Sequence, residues 1–127
     1  MLLDRLFGRE QVSTRTIAVT MECAGNGRVF LTPHARGTQW ERGAVGNAEW
    51  TGVLLSTLLD DCGFDRKNGH FVLAEGADGS SMTRTIPMDR ALDDVMVAWA
   101  MNGEMLRPEN GYPLRLVAPG LQGVSWV

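Results

Sequence analysis

The 127-residue sequence lacks three features that would place it in other classes of protein. It has no run of Lys and Arg, and its formal net charge is −3, which argues against a nucleic-acid binder. No apolar run approaches the roughly 20 residues that a membrane span needs, and the acidic residues near the start do not fit a signal peptide. The only two cysteines, Cys23 and Cys62, are too few for a disulfide framework.

What remains is the composition of an ordinary globular domain. Hydrophobic residues make up 44% of the chain and charged residues 21%, so neither disorder nor a fibrous structure is indicated. At this length, folding hides roughly two thirds of the chain's surface. No internal repeat is present, and the length is typical of one domain.

Alternation of apolar and more polar residues predicts a first β-strand from Thr16 to Cys23, with one buried face. Residues 31–48 look mostly irregular. Thr51 is then the predicted N-cap of a helix with an apolar stripe that runs to Cys62, and Gly63 is its predicted C′ glycine. On that stripe, Cys62 is expected to be a small buried core residue.

Shorter elements are predicted for the second half of the chain. They are a strand at 70–74, a helix from Pro87 to about Asp94, a strand at 95–101, a type I′ turn at Asn102-Gly103, a return strand at 104–106 and a strand at 113–118. Short strands with two helices, outside any βαβ order, predict the α+β class with mixed or antiparallel sheets.

Cys23 lies where the first strand meets a glycine-rich turn, residues 24–28. The glycines let the backbone approach a ligand closely, successive N–H groups can form an anion-binding nest, and Arg28 offers a bidentate fork for an oxyanion. A thiolate there suits a nucleophile or a soft-metal ligand. The spacing fits a structural cysteine before a tight turn equally well. His34 and His70 have no zinc-ligand spacing.

Five segments of the chain match, in order, the motifs of one enzyme family. They are ECAGNGR at 22–28, GAVGNAEWTGV at 43–53, EGAD at 75–78 with Ile-Pro at 86–87, AWAMNG at 98–103, and GYPLR at 111–115 with Pro-Gly at 119–120. Together they resemble the molybdopterin-binding domain of the sulfite oxidase family, over about residues 16–120. The family includes eukaryotic sulfite oxidases, plant nitrate reductases and bacterial sulfite and sulfane dehydrogenases, and the resemblance is greatest to the bacterial branch.

The resemblance implies a fold and an activity. The fold would be that of the sulfite-oxidase molybdopterin domain, α+β with mixed β-sheets and short helices, and residues 1–127 would be part of that domain, truncated at both ends. The activity would be oxidation of sulfite or a related sulfur compound, including a carrier-bound one, by oxygen-atom transfer. Electrons would pass to a c-type cytochrome, with any haem on that separate partner. Because bacterial members are mostly periplasmic, that compartment is preferred.

The resemblance also assigns roles to individual residues around a molybdenum–molybdopterin cofactor. Cys23 would be the protein's single thiolate ligand to molybdenum, and Arg28 would help to bind the substrate oxyanion. The remaining cofactor contacts would come from Ala44, Gly46, Asn47, Asp78, Asn110 and Arg115.

Three of these residues have structural alternatives. Arg28 could brace the turn or pair with Glu22, and Asp78 could serve only its Asp-Gly turn. Arg115 lies on an apolar strand, and because an unpaired buried guanidinium is costly, it needs an anionic partner. A cofactor phosphate or an internal carboxylate would each meet that need.

The chain departs from the family pattern at three places. An upstream arginine and histidine have no match, Asn110 stands where the family has a cofactor-binding histidine, and Ser125 stands where it has lysine. These departures support a second hypothesis, a truncated or degenerate non-catalytic module that keeps the fold without molybdenum and binds the cofactor weakly or not at all. A third, a thiol enzyme with Cys23 as nucleophile, lacks an identifiable base.

Overall fold

The computed structural model describes residues 12–127, which form two antiparallel sheets and two short helices. In chain order the elements are β1 (Arg15–Glu22), β2 (Val45–Leu54), α1 (Leu55–Asp61), β3 (Phe71–Glu75), β4 (Thr83–Pro87), α2 (Met88–Asp93), β5 (Met96–Met101), β6 (Glu104–Met105) and β7 (Arg115–Val117). Single 3-10 turns lie at Arg28–Phe30, Pro108–Asn110 and Gly123–Ser125.

The interior strands of the larger sheet are β2 and β5. One edge of β2 pairs with β1 and the other with β5, while β6 and β7 pair with successive parts of the far edge of β5. The smaller sheet is the β3–β4 hairpin. Every pairing is antiparallel, which agrees with the predicted α+β class. None of the helices within residues 12–127 is long and apolar enough to cross a bilayer.

The prediction of irregular structure holds for residues 31–44 but is wrong for 45–48, and the predicted helix start at Thr51 is wrong. Residues 45–54 form the longest strand, and the helix begins only at Leu55. Strand pairing on both edges of β2 supplies ladder hydrogen bonds that the local helical pattern could not outweigh. The β4 strand was likewise not predicted, because its pairing with β3 is not visible in a local pattern.

Cys62 is exposed and not a core residue, contrary to prediction. The helix ends at Asp61, one residue earlier, so the apolar stripe that reaches the core stops before the cysteine. Gly63 does adopt the left-handed conformation expected of a helix-ending glycine, with φ of 71°. The sequence therefore located the end of the helix but not the direction of its last side chain.

The core lies on one face of the larger sheet, against the helices. Its members include Val19, Trp50, Leu55, Ile86, Met88, Ala91, Val95, Met96, Ala98, Leu106, Val117, Ala118 and Trp126. The rings of Trp50 and Trp126 meet edge to face with centroids 6.1 Å apart. The core therefore extends to the region in which the candidate functional residues lie.

β2 and β5 approach each other very closely at Gly52. A Cβ built there would clash with the carbonyl oxygen of Val97, and the pairing register shifts between Thr51 and Gly52. Only glycine fits at such a bulge. At the other end of β5, Asn102 and Gly103 have φ of 51° and 78°, which confirms the predicted type I′ turn.

Candidate functional site

One face of the β1–β2 pair forms the wall of a cavity of about 590 Å³. The register sets Val19 beside Ala48 and Met21 beside Gly46, and such paired residues share a face of the sheet. The volume is typical of a small-molecule site. The wall consists of Val19, Met21, Cys23, Ala44, Val45, Gly46, Asn47, Ala48, Trp50, Met101, Asn102, Asn110, Arg115, Gly123 and Val124.

Cys23 follows β1 directly and belongs to the cavity wall. Its backbone N–H donates to the carbonyl oxygen of Ala44 at 2.9 Å, which continues the β1–β2 ladder past the end of the strand. The thiol sulfur accepts the N–H of Gly25 at 3.4 Å, and the residue is exposed. The sulfur is therefore reachable from the cavity and held beside a backbone donor.

Arg115 brings a half-buried positive charge to the same wall. Its Nη1 donates to the carbonyl oxygen of Asn110 at 3.1 Å and its Nη2 to that of Trp126 at 3.5 Å, while Nε has no partner among the described residues. Within residues 12–127 no carboxylate forms an ion pair with it, and burial lowers the pKa of the guanidinium. The internal carboxylate considered from the sequence is absent from this part of the chain.

Trp50 contributes a second unsatisfied donor. It is only 3% exposed, and its indole Nε1 has no hydrogen-bond acceptor within the described residues. The centre of the ring lies 5.6 Å from Cζ of Arg115. Because buried polar groups are normally paired, two buried donors in one cavity wall without a partner in the described part of the chain indicate a ligand that is anionic and rich in acceptors.

The three predicted residues of β2 and the segment before it line the cavity in different ways. Ala44 and Gly46 lie on the cavity side, and a Cβ built at Gly46 would meet no atom within 4 Å. The side chain of Asn47 points to the opposite face, where Oγ1 of Thr20 donates to its Oδ1 at 3.0 Å. Asn47 therefore contributes backbone to the wall.

Two predicted residues lie outside this wall. Nη1 of Arg28 donates to the carbonyl oxygen of Thr38 at 3.0 Å, so Arg28 braces the turn that follows Cys23. Asp78 lies in the β3–β4 loop and accepts the hydroxyl of Ser80 at 2.7 Å; this bond is the largest cause of its lowered pKa. The geometry accounts for both residues as turn-stabilising groups, and their ligand roles stay predictions.

Asn102 belongs to the wall but was predicted only as a turn residue. Its Oδ1 accepts the backbone N–H of Glu49 at 2.9 Å, and its own N–H donates to the carbonyl oxygen of Glu49 at 2.8 Å. It also borders a second cavity of about 170 Å³, which shares Met101 and Asn110 with the first. The Asn-Gly pair predicts a turn and does not indicate that Asn102 lines a cavity.

Trp40 is a second residue near the site that was not predicted from the sequence. It is half exposed, and its Cδ1 lies 2.8 Å from where a Cβ on Gly25 would be, with Nη2 of Arg28 at 3.0 Å from the same point. The two side chains therefore pack on the glycine of the turn that carries Cys23. Only glycine leaves room for them.

Comparison of folds identifies the class of protein. The structure matches the crystal structure of the sulfane dehydrogenase SoxCD from Paracoccus pantotrophus with a TM-score of 0.80 and 41% sequence identity. The match covers 98% of this chain and 31% of the other. This confirms the predicted architecture, that of the sulfite-oxidase molybdenum-binding domain.

Sequence comparison then identifies the family. The family described as oxidoreductase molybdopterin binding domain matches residues 3–127, and the chain belongs to it. The nitrate reductase [NADPH] of Phytophthora infestans is 36% identical over 97% of this chain and 16% of its own length. Human mitochondrial sulfite oxidase is 36% identical over 87% of this chain and 23% of its own length. The chain thus spans less than a quarter of these two relatives.

The cavity fits a molybdopterin-type cofactor by its donor set. A thiol is a suitable soft ligand for the metal, and a half-buried guanidinium with no carboxylate partner among residues 12–127 suits a phosphate. The Trp50 indole N–H can donate to a pterin heteroatom or a phosphate oxygen. Gly46 leaves the wall open between these groups.

Proposed function

We propose that this chain supplies the cofactor-binding part of a molybdenum–molybdopterin oxidoreductase that acts on sulfite or a related sulfur compound. The observation that carries the proposal is the single cavity wall that joins the Cys23 thiol to the Arg115 guanidinium, which has no carboxylate partner within residues 12–127. A metal with an anionic, acceptor-rich organic ligand requires both groups in one place.

Each group in the wall has a separate task. The cofactor supplies two-electron oxygen-transfer chemistry when bound, and the protein supplies placement and charge. Cys23 would give its sulfur to the metal, with the N–H of Gly25 as a donor to the thiol. Arg115 would neutralise the phosphate, and it is itself held by the carbonyl oxygens of Asn110 and Trp126.

The sulfur substrate is supported by the names of the relatives. Sulfite oxidases and a sulfane dehydrogenase are among them, although nitrate reductases match over the same part of the chain. We assign Arg28 to the substrate oxyanion and Asp78 to the cofactor on the strength of the matched motifs alone. A c-type cytochrome as electron acceptor and a periplasmic location belong to the same proposal.

A second candidate is a module that keeps the fold without metal. One observation favours it: Arg28, the residue assigned to the substrate, donates to the carbonyl oxygen of Thr38 and is not part of the cavity wall. An enzyme would need this side chain to turn toward the substrate when the cofactor is bound.

Sulfite-dependent reduction of ferricyanide tests the proposal. The protein is purified from a host that makes the cofactor, together with C23S and, as matched control, C62S. The C62S change removes an exposed thiol that does not belong to the wall. We expect activity in the wild type and C62S and none in C23S. Equal rates in all three proteins, or no rate in a protein loaded with molybdenum, would contradict the sulfite-oxidising function.

A further inference from the structure

Asn26 ties the turn that carries Cys23 to the start of β2. Its Oδ1 accepts two backbone N–H groups, from Gly43 at 3.1 Å and from Ala44 at 3.0 Å. Its Nδ2 donates to Oε1 of Glu22 at 2.8 Å. One planar amide therefore links the residue before Cys23 to the segment that forms the adjacent cavity wall.

The backbone contacts around Cys23 depend on the same arrangement. The N–H of Asn26 donates to the carbonyl oxygen of Cys23, and the N–H of Cys23 donates to the carbonyl oxygen of Ala44, both at 2.9 Å. The backbone of Ala44 thus makes two hydrogen bonds: its carbonyl oxygen accepts from Cys23, and its N–H donates to Asn26. A shift of the Asn26 side chain would free the turn to move relative to the wall.

We propose that Asn26 is the positioning residue for Cys23, fixing where its sulfur stands in the cavity. The inference rests on the proposed function only in taking Cys23 as the metal ligand. Asn26 does not belong to the cavity wall, so it acts through the turn. Neither the Cys-Ala-Gly-Asn spacing nor its turn propensity distinguishes this role from that of an ordinary turn residue.

The chemistry of the clamp requires an amide. Asparagine offers an acceptor and a donor on one side chain, whereas aspartate offers acceptors only. In N26D the two backbone N–H groups keep their acceptor, but a carboxylate then faces the carboxylate of Glu22. A second change, E22Q, returns a donor to that contact, so the double variant N26D/E22Q restores the clamp with its polarity reversed.

The two exposed cysteines allow the position of Cys23 to be measured inside one molecule. Iodoacetamide alkylation of the cofactor-free protein is followed by peptide mass analysis, and the rate at Cys23 is divided by the rate at Cys62. We expect the ratio to change about tenfold in N26A, the size expected from the loss of ordinary hydrogen bonds, because the sulfur is no longer held in its position. The ratio should also change in N26D, whereas E22Q and N26D/E22Q should resemble the wild type.

Further readouts separate this role from general stability and from the proposed function. The melting temperature should change little in N26D, since the clamp lies outside the core. In every variant whose alkylation ratio changes, hydrogen exchange of the Gly43 and Ala44 amides should also be faster than in the wild type. An unchanged ratio in both N26A and N26D, or no recovery in N26D/E22Q, would overturn the positioning role. Molybdenum content of the wild type tests the proposed function separately, because alkylation needs no cofactor.

Discussion

Filling the cavity at Gly46 should separate cofactor binding from folding. A Cβ built at this position meets no atom within 4 Å, and the residue does not have positive φ. Valine therefore fits the strand without a clash, and it removes the conformational cost of a strand glycine, about 0.5–1 kcal/mol. G46V should be as stable as the wild type or slightly more so, with its new side chain directed into the cavity.

The same side chain should exclude the cofactor. Overpacking of an occupied site costs about 1–3 kcal/mol, which corresponds to a loss of affinity of roughly 5- to 150-fold. Thermal unfolding measures stability, and pterin fluorescence with molybdenum analysis measures loading. A18V is the matched control, because Ala18 is exposed on β1 next to Val19 and lies outside the wall. A G46V protein that carries as much pterin as the wild type would refute the placement of the cofactor.

Three further predictions concern charge, packing and pH. Saturating phosphate should raise the melting temperature of the cofactor-free wild type by a few degrees, and R115M should lose this response; an equal response would mean that the anion binds elsewhere. G52A should destabilise the protein by about 1–3 kcal/mol in urea unfolding, because its Cβ would clash with the Val97 carbonyl; wild-type stability would contradict the bulge geometry. The hydrogen bond from Ser80 lowers the pKa of Asp78 from its ordinary value of 3.8. The ionised Asp78 therefore stabilises the β3–β4 loop above pH 3.8, and this stabilisation is lost as the pH falls through the lowered pKa of the folded state. Amide exchange in the loop should accelerate over that pH range in the wild type, and it should show no such pH dependence in D78N.

Several site residues could be predicted because their chemistry is local. Cys23 stands at the end of an alternating strand before glycines, and the resemblance carried Ala44, Gly46 and Arg115 to the same site. The need of Arg115 for an anionic partner followed from its apolar strand alone. The cavity wall contains all four of these residues, and their ligand roles stay predictions.

Other features depend on contacts between distant parts of the chain. The strand at 45–54 forms because β1 and β5 both pair with it, and a local helical pattern at Thr51 cannot reveal that. The direction of Arg28 is set by the carbonyl of Thr38, ten residues away. The sequence predicts Asn102 only as a turn residue, yet its Oδ1 accepts a hydrogen bond from the backbone N–H of Glu49. Such side-chain contacts are decided by packing and leave no periodic signal.

We propose that this cavity holds molybdenum through Cys23. The molybdenum and pterin content of the purified chain and of C23S, both made in a host that synthesises the cofactor, tests this directly. We expect near-equimolar metal and pterin in the wild type, with the metal lost in C23S while the melting temperature is unchanged. A wild-type protein that folds without either component, or a C23S protein that retains its molybdenum, would contradict it.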